Sequence, residues 1–272
     1  MSINNSKDKE KKELKNILVV GSVGVGKSSI IKLITNDDSI KVSNRAQSVT
    51  QEYNQYIFND WCFVDTIGLH QPIGTKEDLE ESANKLNKFI QSYSNTPFSL
   101  ILFVIEQGRI TEIEQDNYKL FVEGICQKQI PVILAITHCE LEEPMDSWWI
   151  KSKPVLEEKY KWIDINEAVS VCSISNDELK MVDRDKLVKF LVERQQQSRV
   201  KLIDTLTRIL SSPESNNKQN QCILGQSNKF YEKQILAEWI LTNLGLASNL
   251  KKHRIPQINS PITNNNTKCN IC

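Results

Sequence analysis

Asn16-Ile-Leu-Val-Val20 runs into Gly21-Ser22-Val23-Gly24-Val25-Gly26-Lys27-Ser28 and then into Ser29-Ile-Ile-Lys-Leu-Ile34, and this order decides the fold. The first run is short, apolar and β-branched, which reads as a buried strand. The middle run fits the G-x-x-x-x-G-K-[ST] phosphate loop, and Ser28–Ile34 reads as the opening turns of a helix. Strand, glycine-rich turn and helix together lift the motif above a chance match. The glycines let the backbone wrap a polyphosphate, with N–H groups pointing inward at a helix N-terminus that already favours anions. Lys27 supplies a mobile charge for the outer phosphates, Ser28 offers a hydroxyl to Mg²⁺, and Ser29 completes the expected binding set. The stretch predicts a nucleoside triphosphate site.

Outward from this loop, Trp61–Asp65, Ser99–Ile105, Pro131–Ile136 and Ala168–Cys172 read as further strands, with Asn59-Asp60 as a tight turn joining two antiparallel ones. Thr75–Ser94 and Glu112–Lys128 carry apolar residues at helical spacing, as does Asp183–Leu210. Strands alternating with helices imply right-handed crossovers and an α/β fold of three layers around a mostly parallel sheet. No strand is legible beyond residue 183. The expected division is a disordered arm over 1–13, a nucleotide-binding domain over 14–212 and a linker over 213–228. A helix over 229–250 and a disordered, Asn-rich tail over 251–272 follow.

Composition narrows the function classes. The chain has 272 residues with 34 basic and 34 acidic side chains, so its zero formal charge gives no support for nucleic-acid binding. Its seven cysteines are scattered and mostly lie inside apolar runs, the pattern of reduced thiols in a cytoplasmic protein. The polar start predicts no secretory signal, and no stretch reaches the apolar length of a membrane-spanning helix.

Three further segments carry chemistry. In Val64-Asp65-Thr66-Ile67-Gly68 a carboxylate at a strand end can reach the shell of Mg²⁺, and Gly68 lets a backbone N–H approach the γ-phosphate. Thr50, in a polar loop between the first helix and this motif, can complete the metal shell, although Ser48 competes for that role. After the strand ending at Ile136, Thr137-His138-Cys139-Glu140 stands where GTPases usually carry Asn/Thr-Lys-x-Asp. A carboxylate there can accept from the N1–H and exocyclic amine of guanine, a donor pair that adenine lacks. Glu140 is one methylene longer than Asp and needs a displaced loop; His138 would cover the base as an aromatic lid. Ser175 and Asn176 are assigned to the loop closing the other side of the base.

These pieces resemble the AIG-type G domain of the avirulence-induced-gene family and the GTPases of immunity-associated proteins, over roughly Asn16 to Ser211. The resemblance rests on Ala46-Gln-Ser-Val-Thr50, Val64-Asp-Thr-Ile-Gly68, Thr137-His-Cys-Glu140 and the box Gly108-Arg-Ile-Thr-Glu112 followed by Phe121. It implies binding of GTP, GDP and Mg²⁺, pairing through the nucleotide faces, and attachment to membranes or scaffolds. Ile67 departs from the usual Pro. Leu69 after Gly68 agrees with the family but cannot orient a water, so slow intrinsic hydrolysis is expected.

The resemblance implies that Arg109 reaches the phosphates of a partner subunit; the alternative is a solvated or interface residue with no chemistry. The catalytic set is therefore Arg109, Thr50 and Lys27, and the metal set Ser28, Thr50 and Asp65. The two function classes are a GTPase activated by homodimerisation and a GTP-loaded membrane scaffold that hardly hydrolyses. At the C-terminus, Cys269-Asn-Ile-Cys272 fits a C-a-a-X prenylation box with Lys251-Lys-His-Arg254 as a basic cluster nearby. An unmodified tail and half of a metal site remain the alternatives for Cys269.

Overall fold

The computed structural model describes residues 14–37, 53–66, 76–108, 110–162, 164–174, 176–182, 184–213 and 221–224. The expectations for Ser48, Thr50, Ile67, Gly68, Leu69, Arg109, Ser175, the N-terminal arm, the helix over 229–250 and Cys269 lie outside them.

Among the described residues, seven strands form one sheet. They are β1 (Lys15–Val20), β2 (Asn54–Phe58), β3 (Trp61–Asp65), β4 (Pro97–Glu106), β5 (Val132–Thr137), β6 (Ile165–Ser170) and β7 (Cys222–Ile223). The order is β2-β3-β1-β4-β5-β6, with β7 beside the start of β4. β1, β3, β4, β5 and β6 run parallel, whereas β2 is antiparallel to β3 through the turn at Asn59-Asp60, where Asn59 takes φ 53°. The helices are α1 (Lys27–Thr35), α2 (Lys76–Ser92), α3 (Glu112–Asn117), α4 (Ser147–Glu158), α5 (Asn176–Lys180) and α6 (Asp185–Leu210).

Alternation along the strands divides the core between two faces. Leu18 and Val20 of β1 join Phe103 and Ile105 of β4 and Leu134 of β5 under α2, the segment Tyr118–Ile125 and α4. Ile17, Val19, Leu102, Val104 and Ile133 face the other way, beneath Ile30 and Ile34 of α1 and Leu202 and Leu206 of α6. Central strands covered on both faces need the continuous apolar runs seen in the sequence.

Three features differ from the sequence expectation. The helix read over Glu112–Lys128 is α-helical only to Asn117; Tyr118–Ile125 winds wider, with Cys126 N–H donating to the Phe121 carbonyl five residues back at 2.9 Å. Helix α4 was not legible, having Pro154 inside it. The absence of strands beyond residue 183 is corrected by β7, which pairs Cys222 with Phe98 and Ile223 with Pro97. Residues 221–224, inside the stretch expected to be linker, thus lie against the sheet.

Candidate functional site

The C-terminal ends of β1, β3, β4 and β5 bring together the phosphate loop, the Asp65 carboxylate, the β4–α3 connection and the Thr137–Glu140 loop. Gly21–Gly26 leaves β1 and turns into α1, with Gly24 at φ 89° and Gly26 at φ 93°. These angles suit glycine, since an L side chain there meets its own backbone. At Gly26 an added Cβ would also lie 3.1 Å from Thr137 Cγ2, so the loop is packed directly against the end of β5.

Lys27 is the first residue of α1 and is almost fully buried. Its Nζ donates to the carbonyls of Gly21 and Ser22, each at 2.8 Å. Burial lowers its pKa, an effect that the nearby Asp65 charge opposes. Asp65, wholly buried at the end of β3, accepts from Ser28 Oγ at 3.0 Å through Oδ2. Burial raises its pKa, against the pull of Lys27 and Ser28. Its other oxygen, Oδ1, is buried with no hydrogen-bond partner among the described residues. An unpartnered carboxylate oxygen beside a hydroxyl is a pair of hard oxygen donors that fits Mg²⁺. Ser28 and Asp65 would hold that ion.

On the base side, Thr137 is fully buried and its hydroxyl ties two elements. It donates to the Val25 carbonyl at 2.8 Å and lies 3.2 Å from that of Ile105. The base loop is thereby fastened to the phosphate loop. His138 takes φ 62° and is exposed, with Nδ1 3.1 Å from Thr137 Oγ1 and 3.9 Å from Glu106 Oε1. Cys139 turns back into the core, its N–H on the Val171 carbonyl at 3.3 Å, which leaves Glu140 half-buried at the turn. Burial pushes the Cys139 thiol up to about 11, the state of a packing group rather than a nucleophile.

Glu142 braces this loop. Its carboxylate accepts from Ser147 Oγ and Gln107 Nε2, which hold its pKa below the usual range, while Arg194 donates to its carbonyl at 3.0 Å.

Ser22, Val23, Val25 and Ser29 lie in the loop and first turn as expected, Val23 being 56% exposed. Asn176 opens α5. A residue not anticipated here is Ser173, whose Oγ lies 3.8 Å from the position a Gly26 Cβ would take, beside Thr137. Also unanticipated is the bond from Ser22 Oγ to Glu114 at 2.8 Å. The spacing Thr111-x-x-Glu114 was available as a capping-box signal.

The mostly parallel sheet, the phosphate loop on β1 and α1, the buried Asp65 and the Thr137–Glu140 loop fastened to them make an α/β domain with its candidate nucleotide site at the C-terminal ends of the strands. Residues 16–138 match the sequence model of a family described as 50S ribosome-binding GTPase. The chain is similar to GTPase Era of Campylobacter fetus subsp. fetus, at 27% identity over 182 residues, covering 66% of this chain and 57% of that protein. It is also similar to a guanylate kinase of Mycoplasmopsis pulmonis, at 28% over 107 residues, 38% of this chain and 50% of the other. The chain spans about half the length of these curated relatives. Among solved structures, Toc33 from Arabidopsis thaliana in complex with GDP and Mg²⁺ aligns with a TM-score of 0.43 at 17% identity, covering 69% of this chain and 86% of that one.

Proposed function

We propose that this protein is a guanine-nucleotide-binding GTPase of AIG type, with slow intrinsic hydrolysis raised by homodimerisation across the nucleotide face. The observation that carries the reading is buried Lys27 and Asp65 with the half-buried Ser28 hydroxyl between them, next to a base loop fastened by Thr137. Lys27 would exchange its bonds to the Gly21 and Ser22 carbonyls for phosphate oxygens, and loop N–H groups would cradle the β-phosphate. Ser28, Asp65 and Thr50 would hold Mg²⁺, which when bound neutralises charge on the outer phosphates. Gly68 would approach the γ-phosphate, and Glu140 would accept from guanine with His138, Ser175 and Asn176 around the base. The similarity to proteins named GTPase Era supports hydrolysis as the activity.

Leu69 supports a low intrinsic rate, because an aliphatic side chain cannot orient the attacking water. Arg109 from a second subunit would supply the missing charge, a contribution worth roughly 10³–10⁵ in rate. The test is specific GTP turnover against protein concentration, for wild type and Arg109→Ala. Wild-type turnover per molecule should rise with concentration and the variant should stay flat. A flat wild-type response would contradict activation by pairing.

A second reading is a GTP-dependent membrane scaffold with negligible hydrolysis. Leu69 suits this reading equally, because a side chain that cannot orient a water is at home in a protein that holds GTP without turning it over. Lipidation at Cys269 would supply its membrane attachment. Among the described residues, no helix is long and apolar enough to cross a membrane.

A further inference from the structure

The connection from β4 to α3 is fastened at both ends to the nucleotide-reading loops. At its start, Gln107 N–H donates to the Thr137 carbonyl at 3.0 Å, and Gln107 Nε2 donates to the Glu142 carboxylate that braces the base loop. At its end stands Glu114, a charged residue only 9% exposed. One oxygen, Oε2, accepts from the Thr111 N–H at 2.8 Å and from the Thr111 hydroxyl, capping α3. The other, Oε1, accepts from Ser22 Oγ of the phosphate loop at 2.8 Å. Asn117, 1% exposed, donates to the same hydroxyl at 3.4 Å.

A capping box needs only the bond within the helix terminus. The bond to Ser22 is additional, and it joins two segments 92 residues apart in a buried position. Ser22 also presents its carbonyl to Lys27 Nζ. One residue thus touches the phosphate-binding lysine through its backbone and α3 through its side chain.

We propose that Gln107 and Glu114 are positioning residues through which nucleotide occupancy sets the order of the β4–α3 connection. This rests on the nucleotide reading of the phosphate loop given above. A polyphosphate would draw Lys27 from the Ser22 carbonyl and fix Ser22 instead through the loop N–H groups that cradle it. Its hydroxyl fixes Glu114, and Glu114 fixes Thr111 and the first turn of α3. The base loop acts in the same sense through Glu142 and Gln107. Ordering imposed at one site and felt at another is a coupling of the two, without any large displacement.

The test is hydrogen exchange of the full chain with and without saturating GDP and Mg²⁺, after nucleotide affinity has been measured for each variant. In wild type, GDP should slow exchange over residues 108–117 by about tenfold, the scale of one charge-assisted hydrogen bond in a local opening equilibrium. Ser22→Ala should keep slowing in the phosphate loop, but the slowing over 108–117 should fall to about twofold or less. Glu114→Ala should do the same. Glu114→Gln should restore the coupling, since its oxygen can accept from Thr111 and its amide can donate to Ser22. Full slowing over 108–117 in Ser22→Ala would overturn the proposal, as would none in a wild type that binds GDP. A wild type that binds no nucleotide would refute the reading on which the proposal rests, and the proposal with it.

Discussion

Replacing Thr137 with valine tests how the two loops of the site are held together. The swap keeps the shape of a fully buried side chain and removes its hydroxyl, so it opens no cavity. What is lost is the donor to the Val25 carbonyl at 2.8 Å, a donor that also lies 3.2 Å from the Ile105 carbonyl. One such bond contributes about 0.5–1.5 kcal/mol, and a buried carbonyl left without its partner raises the total to about 1–3 kcal/mol. Urea unfolding of the nucleotide-free protein should therefore show a lower midpoint at unchanged slope. The same tie aligns the base loop with the phosphate loop, so GDP affinity should fall by roughly tenfold, the equivalent of about 1.4 kcal/mol. Thr137→Ser, which keeps the hydroxyl, should recover most of the affinity. An unchanged midpoint together with unchanged GDP affinity in Thr137→Val would refute the idea that this hydroxyl joins the loops.

Other expectations follow from the same geometry. Burial raises the Asp65 pKa, so the ionised form is the disfavoured one in the nucleotide-free fold. Its contribution to stability is present below the ordinary carboxylate range and is lost as pH rises through the raised value. Mg²⁺ requires the ionised form and should bind better over that same rise; Asp65→Asn should remove both slopes in paired thermal melts with and without Mg²⁺·GDP, and unaltered slopes would contradict this. Alanine at Gly24 or Gly26 meets the same positive φ, at about 1–2 kcal/mol. Only at Gly26 does it also press on Thr137, so Gly26→Ala should lower the thermal midpoint more, and equal shifts would count against that contact. If Cys269 is prenylated, Cys269→Ser should leave the membrane fraction of eukaryotic cells with its nucleotide affinity intact, and intact mass of the wild type decides whether the lipid is there.

Much of the fold was legible because local and global demands coincide. Ile17–Val20 is apolar on both faces since β1 is covered on both, and Gly24 and Gly26 mark a turn that only glycine enters freely. β7 escaped because two residues carry no periodicity; its place depends on the start of β4, where the pairing with β5 has not yet begun. Helix α4 escaped because Pro154 reads as a stop, although the first turns of a helix can precede it. In the site, the motifs that carry Lys27, Ser28, Asp65 and Thr137 stood out in the sequence. The bond from Glu114 to Ser22 did not, because Thr111-x-x-Glu114 fully accounts for that carboxylate as a local cap. Long-range use of a residue with a sufficient local role leaves no trace in spacing.

The central claim is a P-loop site that reads guanine, and calorimetric titration of the full chain with GDP, GTP and ATP in the presence of Mg²⁺ tests it most directly. GDP and GTP should bind, ATP should bind at least about tenfold more weakly, and Glu140→Ala should abolish that preference by weakening only the guanine nucleotides. Equal affinity of the wild type for ATP and GTP, or no heat from any of the three, would contradict it.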